Sequence, residues 1–388
     1  MSFSRLNRRS ILVVAAALLA GCQIIPKAPQ TSTPGPAPEP TAGPSTSTLP
    51  SDETRHRVAL LVPLSGSNGA VGQSIANATT MALLDTGAEN LRITTYDTAS
   101  GARTAARQAI ADGNRLILGP LMSNDVGDVL AEARPADVPL ISFSNDAQVA
   151  RADVFVMGHI PSESIERTVR YAGAKGARRF AALIPDGEYG SRAEQALKEA
   201  VARVGGTVTR IESYSRSNTS IVSAAQRLRQ NGGFDAVLVA DGADRAIEAA
   251  KVLHPGGSGP GRIIGTELWS GEAALTRNAA MRGAQFAAVS DARFRKFSDS
   301  YKTRFGGQPF RISTLGYDSV LLALRVATDW KPGTPFPTRK LLDQGGFLGL
   351  DGAFRFEKTG LVERAMEVRE VRDGEVVIVD QAPSRFGN

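Results

Sequence analysis

Short apolar runs and helix-forming stretches alternate along most of the chain, and this pattern constrains the fold more than any other feature. The runs have the length and composition of buried strands, and they lie at residues 58–62, 91–96, 116–118, 138–141, 180–184, 236–240 and 262–264, with later ones at 352–356, 365–371 and 376–379. The stretches between them are rich in Ala, Leu, Glu and Arg, which favour helices, and they lie at residues 70–84, 102–111, 126–133, 162–174, 191–204, 220–230, 244–253, 294–305 and 314–327. Strict alternation predicts parallel sheets that are covered by helices on both faces. The predicted fold class is therefore α/β.

The size of the folded region predicts two lobes. The region that carries the alternating pattern is about 330 residues long, which exceeds the usual size of a single core. We therefore expect two doubly wound parallel-sheet lobes joined by a multi-crossing hinge. The predicted lobe 1 comprises residues 56–157 and 290–345, the predicted lobe 2 comprises residues 158–289 and 346–380, and a tail follows at 381–388.

The N-terminal residues have the three regions of a secretory signal. Three arginines precede an apolar run at residues 11–20, and Gly21 and Cys22 follow directly. The run is shorter than the roughly 20 residues that a bilayer-spanning helix needs. The sequence Leu-Ala-Gly-Cys at residues 19–22 resembles the bacterial lipobox, which implies a signal peptide of residues 1–21 and lipidation of Cys22.

The residues around the cleavage site predict a lipid anchor and a tether. Cys22 is the only cysteine in the sequence, which excludes an internal disulfide or a thiolate metal cluster within it. In such lipoproteins an Asp directly after the cysteine favours the inner membrane, and Gln23 occupies that place here. We therefore expect a periplasm-facing protein that is anchored through its N-terminal lipid, with the outer membrane favoured over the inner. Residues 22–55 are rich in Pro, Thr and Ser, which predicts a disordered tether.

Polar, mostly glycine-bearing loops follow the predicted strands. Because ligands bind beyond the carboxyl ends of the strands in doubly wound sheets, these loops are the candidate ligand-binding elements. They lie at residues 63–67, 119–125, 142–146, 186–190, 241–244 and 265–269. Ser123 and Asn124 open a predicted helix, where hydroxyl groups and free backbone N–H groups make a seat for a carboxylate. The alternative is that such residues only cap their helices.

Four motifs, in their order along the chain, resemble those of the type I periplasmic binding proteins. They are Val-Pro-Leu-Ser-Gly at 62–66, Gly-Pro-Leu-Met-Ser at 119–123, Pro-Leu-Ile-Ser at 139–142 and Asp-Gly-Glu-Tyr-Gly at 186–190. The nearest branch with a known ligand resembles the leucine and branched-chain amino-acid-binding proteins, and the resemblance covers residues 57–380. It implies the type I periplasmic-binding-protein fold and a non-enzymatic solute-binding function, with an amino-acid-like ligand between the lobes and an ABC permease as partner.

The resemblance also implies roles for individual residues. Ser123 matches the serine that binds the ligand carboxylate, Glu267 the glutamate that binds its ammonium, and Tyr189 the tyrosine of a Tyr-Gly loop in lobe 2. Asp146 stands where the family usually has a threonine, which favours either a more cationic ligand or a pocket that no longer binds a free amino acid. The loop at Asp241 lacks the tyrosines often found there, and the alternative for Glu267 is a solvated loop carboxylate. The predicted ligand-binding residues are Ser123, Asn124, Ser144, Asp146, Tyr189, Asp241 and Glu267.

A second resemblance leaves the function open. The segments at 143–146, 265–269, 354–356 and 360–364 resemble those of the short penicillin-binding-protein activator lipoproteins. This resemblance implies an outer-membrane lipoprotein that keeps the binding-protein fold and regulates a peptidoglycan synthase. The acidic Glu267 stands where a glycine is expected in that group, and it restores a partner for an ammonium group.

Catalytic, metal and nucleic-acid functions find no support in the sequence. The Lys-Thr-Gly at 358–360 matches one short motif of serine penicillin-binding enzymes, but no serine precedes a lysine by three residues, and there is no Gly-x-Ser-x-Gly elbow or phosphate loop. His56, His159 and His254 are far apart, without metal-ligand spacing. The formal net charge is +6, but the basic residues are scattered rather than clustered as nucleic-acid binding requires. We therefore expect no catalytic residue, no metal, no cofactor and no nucleic-acid partner.

Overall fold

A computed structural model describes residues 54–386 of the chain. The predicted signal peptide, Cys22 and most of the predicted tether lie outside the described residues. Within residues 54–386 there are nine α-helices, α1 (Gly69–Thr86), α2 (Ala102–Ala111), α3 (Ser123–Ala133), α4 (Pro161–Ala174), α5 (Glu188–Arg203), α6 (Ser220–Asn231), α7 (Ala243–Leu253), α8 (Ala292–Phe305) and α9 (Thr314–Ala327). The same part of the chain contains fifteen strands, β1 (His56–Val62), β2 (Leu91–Asp97), β3 (Leu116–Leu118), β4 (Leu140–Ser142), β5 (Val154–Val156), β6 (Arg179–Pro185), β7 (Thr207–Tyr214), β8 (Ala236–Val239), β9 (Arg262–Gly265), β10 (Gln285–Ala288), β11 (Phe347–Gly349), β12 (Gly352–Phe356), β13 (Val362–Arg364), β14 (Glu367–Val371) and β15 (Val376–Asp380).

Lobe 1 is built on a parallel sheet whose strands run in the order β2-β1-β3-β4-β5. The inner strand β1 is buried at every position except Arg57, which is half-buried. Burial on both faces is expected for a parallel sheet, because the crossover helices cover it from each side. The loops that follow these strands therefore open at one edge of the sheet, where ligands bind in folds of this class.

Lobe 2 is built on a larger, mixed sheet in the order β15-β14-β10-β9-β8-β6-β7. Strands β6 to β10 pair in parallel, whereas β14 and β15 add an antiparallel hairpin to the edge of the sheet. The prediction of an α/β fold with parallel sheets and two lobes is confirmed. The antiparallel part of this sheet arises because the chain returns to lobe 2 for its last two strands.

Strands β11 to β13 form a small antiparallel sheet that packs with lobe 1. The rings of Phe356 and Phe155 meet edge to face with their centroids 5.2 Å apart. The backbone N–H of Val156 donates to the carbonyl oxygen of Gly360 at 2.8 Å. The sequence-based boundary assigned residues 346–380 to lobe 2. In the structure, strands β11 to β13 pack with lobe 1, and the chain enters lobe 2 again only after β13. Aromatic contacts between distant segments determine this assignment, and a local pattern of apolar residues does not reveal them.

Two helices start unusually close to the strands that precede them, one in each lobe. A Cβ atom at Gly72 in α1 would lie 1.8 Å from the carbonyl oxygen of Pro63, and one at Gly190 in α5 would lie 1.8 Å from that of Pro185. Only glycine permits such an approach of backbone to backbone. In lobe 2 this contact fixes the first turn of α5, including Tyr189, directly beyond the carboxyl end of β6.

Helix α4 carries the chain from the hinge into lobe 2. Pro161 occupies its first turn, where the missing N–H costs nothing and the fixed φ favours a helix. Ile165, Val169 and Ala172 recur on one face and are buried against the lobe 2 sheet. Neither this helix nor any other in residues 54–386 has both the length and the apolar character needed to cross a bilayer.

Candidate ligand-binding site

Tyr189 forms part of a wall at the carboxyl edge of the lobe 2 sheet. It lies in the first turn of α5, and its hydroxyl donates to Oγ1 of Thr266 at 3.1 Å. The guanidinium of Arg216 lies 5.5 Å from the centre of the tyrosine ring, within the range of a cation–π contact. Burial raises the pKa of Tyr189, so its hydroxyl stays protonated and remains a donor at neutral pH.

Asp241 supports this wall from behind. Its Oδ2 accepts hydrogen bonds from the hydroxyl of Tyr214 at 2.7 Å and from Nε of Arg216 at 2.8 Å. Its Oδ1 accepts from the backbone N–H of Gly242 at 2.8 Å. Both carboxylate oxygens thus have protein partners, and Asp241 holds Arg216 in position against the ring of Tyr189.

Glu267 has a buried carboxylate with an unused acceptor. Its Oε2 atom has no hydrogen-bond partner among the described residues, although the residue as a whole is half-buried. Burial raises the pKa of Glu267 to about 7, and the polar groups around it, which are its own backbone and the hydroxyls of Ser164 and Tyr189, offset part of this rise. A solvated loop carboxylate would show neither property. A buried carboxylate of this kind is stabilised when a cationic donor reaches it.

Ser123 and Asn124 open helix α3 on the lobe 1 side. The N-cap position belongs to Met122, so the hydroxyl of Ser123 does not serve as the cap of its helix. Nδ2 of Asn68 lies 3.6 Å from Sδ of Met122, which joins the loops that follow β1 and β3. The first-turn N–H groups lack partners within the helix and favour an anion, although Asp125 in the same turn opposes one.

Ser144 and Asp146 lie in the loop that follows β4. Oγ of Ser144 accepts from the backbone N–H of Asp146 at 3.0 Å, and Oδ1 of Asp146 accepts from that of Gln148 at 2.9 Å. Oδ2 of Asp146 forms an ion pair with Nη2 of Arg192 at 2.7 Å. Arg192 follows Tyr189 by three residues and shares its face of α5. Asp146 therefore links the lobe 1 loop to the lobe 2 wall.

The structure brings together some of the predicted site residues and leaves others apart. Tyr189, Asp241 and Glu267 form one wall in lobe 2, and Arg192 connects the Asp146 loop to that wall. Among the described residues, no hydrogen bond joins the side chains of Ser123 and Asn124 to this wall. Four polar residues of the site lie outside the loops identified from the sequence: Ser164, Arg192, Tyr214 and Arg216.

The three histidines contribute to packing and hydrogen bonding at separate places. His56 stacks on Trp330 with ring centroids 4.1 Å apart. His159 lies 2.8 Å from Oδ2 of Asp351, and Nε2 of His254 lies 2.9 Å from the carbonyl oxygen of Gly261. In the described part of the chain, no group of three or more His, Cys, Asp or Glu side chains could hold a metal ion.

A family model places this chain in a known family. The family model of the periplasmic binding proteins matches residues 56–375. The chain therefore belongs to the periplasmic binding proteins, and within them to type I and its leucine and branched-chain class.

One curated relative and several solved structures are similar to this chain at low sequence identity. An uncharacterized protein of Rickettsia prowazekii (strain Madrid E) is 27% identical over 176 residues, a match that covers 45% of this chain and only 47% of that relative. The branched-chain amino acid ABC transporter periplasmic ligand-binding protein of Burkholderia xenovorans LB400 aligns with a TM-score of 0.68 at 15% identity, covering 86% of this chain and 96% of that one. The C-domain of LpoA from Haemophilus influenzae, a regulator of PBP1A, aligns with a TM-score of 0.66 at 20% identity, covering 83% of this chain and 99% of that one.

Proposed function

We propose that this chain is a lipid-anchored, non-enzymatic solute-binding protein that binds an amino acid in the cleft between its lobes. The observation that carries the proposal is the buried, unpartnered Oε2 atom of Glu267. An ammonium group supplies the missing cation and up to three hydrogen-bond donors at this position. The ligand carboxylate then faces the first turn of α3, where Ser123 and the free backbone N–H groups lie.

Ligand binding in this scheme works by lobe closure. Tyr189 and Glu267 belong to lobe 2, whereas Ser123 belongs to lobe 1, so one amino acid contacts both lobes only when they approach each other. A ligand shifts this equilibrium by its differential affinity for the closed arrangement. An ABC permease then recognises the surface that the two closed lobes form together, and the lipid on Cys22 holds the protein at the membrane, with the outer membrane favoured by Gln23.

Calorimetry on the purified full chain tests the ammonium site. The ligands are leucine, valine and glutamate, and 4-methylpentanoate serves as the leucine analogue that lacks an ammonium group. Leucine should bind and the analogue should not, and Glu267→Gln should weaken amino-acid binding by about 10- to 150-fold, since a hydrogen bond to a charged group contributes about 1.5–3 kcal/mol.

The matched control is Glu272→Gln, which removes an exposed carboxylate five residues further along the chain. This variant should keep the affinity of the unmodified chain. The proposal fails if no amino acid binds, or if leucine and its analogue bind equally well.

A second candidate function is regulation of a peptidoglycan synthase. One observation favours it. The side chains of three predicted ligand-binding residues already form hydrogen bonds or an ion pair with other groups of this chain, namely Ser144, Asp146 and Asp241. A regulator that keeps the fold but presents a fixed surface binds no ligand in its cleft, so it needs fewer polar side chains there without protein partners. Affinity capture from membranes separates the two functions, because recovery of a permease supports uptake and recovery of a glycosyltransferase-transpeptidase supports regulation.

A further inference from the structure

A cavity lies beside the hinge, on the side of the Asp146–Arg192 ion pair. Its volume is about 860 Å³, and it is lined by the loop after β4, by α4 and α5, and by the segment that includes β13. Neither Tyr189 nor Glu267 lines it, and nor does Ser123. Sites for small molecules in proteins have volumes of about 300–1,000 Å³, so this hinge cavity has the size of a binding site.

Arg364 presents a buried cation to the hinge cavity. The residue is only 6% exposed, and its guanidinium lies 5.4 Å from the centre of the Phe354 ring. Its Nη2 donates to the carbonyl oxygen of Met157, whereas Nε and Nη1 are buried without a hydrogen-bond partner among the described residues. A guanidinium stays charged at any physiological pH. Arg364 helps to lower the pKa of the buried Asp351, but neither its Nε nor its Nη1 donates to a described protein group, so an anion in the cavity would gain two unused donors.

Glu163 lies beside Arg364 in the same cavity. Its Oε1 accepts from the backbone N–H of Arg364 at 2.7 Å, and its Oε2 is buried without a partner within the described chain. The charged groups that act on it are Arg364, Glu363 and Glu267. Burial raises the pKa of Glu163 to about 8, with Arg364 opposing the rise. At pH 7 the carboxyl is therefore mostly protonated, and its O–H adds a third donor to the two of Arg364.

Four of the other arginines that line the hinge cavity have acidic partners. Arg192 pairs with Asp146, Arg203 with Glu166, Arg355 with Glu363, and Arg167 with Asp380. These pairs neutralise one another at the rim. The buried donors of Arg364 at the base of the cavity are left to attract a charged ligand.

We infer that the hinge cavity is a second binding site, which takes a small anion with a carboxylate or phosphate group and holds it with Nε and Nη1 of Arg364 and the carboxyl of Glu163. Anions of this class are stabilised by charge-assisted hydrogen bonds from arginine. Arg364 follows lobe 1 at the end of β13, and Glu163 lies in α4 of lobe 2. The anion therefore contacts both sides of the hinge.

Titration of the purified full chain with inorganic phosphate and with acetate tests this site. Ionic strength is held constant with chloride, and calorimetry and the thermal midpoint report binding at pH 7. At least one of the two anions should bind saturably. Arg364→Lys keeps the charge but loses the rigid planar pair of donors of the guanidinium, so it should weaken binding by about 10-fold or more. The matched control is Arg170→Lys at the exposed rim of the same cavity, which should change affinity by less than about twofold.

If Arg364→Lys does not fold, a second variant tests whether the hinge cavity binds the anion. Gln195 is exposed on α5 and lines the cavity, so Gln195→Trp fills the mouth without touching a buried group and should abolish anion binding. Binding should also fall as the pH rises through about 8, because Glu163 becomes negative there, and Glu163→Gln should remove this dependence. Absence of saturable binding by both anions overturns the inference, as does unchanged affinity in the folded variants. The titrations contain no amino acid, so their outcome is separate from that of the proposed amino-acid site.

Discussion

Amino-acid binding should weaken as the pH falls from 7 to 5. Burial raises the pKa of Glu267 to about 7, and only the ionised carboxylate pairs with an ammonium group. With this pKa about half of the carboxyl groups are ionised at pH 7 and about 1% at pH 5. The dissociation constant should therefore rise about 50-fold over these two pH units, which corresponds to about 2.3 kcal/mol of binding free energy.

Calorimetric titrations with leucine at pH 5, 6 and 7 measure this dependence. The ligand keeps its own charges in this range, because an α-carboxyl group titrates below about pH 4 and an α-amino group above about pH 7.5. Glu267→Gln should bind more weakly and without the pH dependence, whereas the control Glu272→Gln should retain the 50-fold change. A dissociation constant that stays the same from pH 5 to 7 in the unmodified chain refutes the reasoning, and so does a full pH dependence in Glu267→Gln.

Three further predictions concern the anchor, the lobes and the fold. Cys22→Ser should release the protein from membranes, as measured by fractionation, and continued membrane association would remove the case for a lipid anchor. A double-mutant cycle with Asp146→Asn and Arg192→Gln should give a coupling energy of about 1–3 kcal/mol in unfolding experiments, since Asp146 is only 7% exposed; a value near zero would exclude a stabilising link between the lobes. Gly190→Ala should destabilise the fold by about 1–3 kcal/mol because its Cβ meets a backbone carbonyl, whereas Gly127→Ala, in open space within α3, should stabilise it by about 0.5–1 kcal/mol.

Much of the fold was predictable from local patterns. Helices α2 and α9 begin and end at the predicted residues, because both are rich in strong helix formers and have a continuous apolar face. Strands β5, β7, β11 and β13 were not predicted. Strands β5, β11 and β13 have only three residues each, and β7 is a largely exposed edge strand.

The missed edge strand also explains a missed site residue. Arg216 follows β7 just as the predicted ligand-binding loops follow their strands. Recognition of β7 would have placed Tyr214 and Arg216 at the carboxyl edge of the lobe 2 sheet, next to Tyr189. The sequence signal for strand β7 was the alternation of residue types from Thr207 to Tyr214. This signal is weak, because the strand has a solvent-facing side and therefore contains few apolar residues.

The state of each polar side chain could not be predicted from the sequence. Glu267 and Glu163 are similar residues near the starts of helical turns, and only the tertiary structure shows that each has a buried oxygen without a partner. Asp146 was predicted to face a ligand, but its contact with Arg192 depends on how the lobes meet. Burial and pairing of charges arise from segments that are far apart in sequence, so the pattern of a single loop does not contain them.

The receptor and regulator functions differ in what holds the lobes together. The Asp146–Arg192 pair stabilises the observed arrangement of the lobes without a ligand, because it joins a lobe 1 loop to α5 of lobe 2. The carboxylate of Glu267 acts in the opposite sense, since a cation that reaches it adds to the stability of its charged form. If the ion pair dominates, a ligand adds little to closure and the protein presents a fixed surface to its partner. If the stabilisation of the Glu267 carboxylate by a cation is the larger contribution, lobe closure depends on the amino acid. A ligand shifts the equilibrium only through its differential affinity for the two arrangements. The relative size of these two electrostatic contributions therefore determines which function this fold can perform.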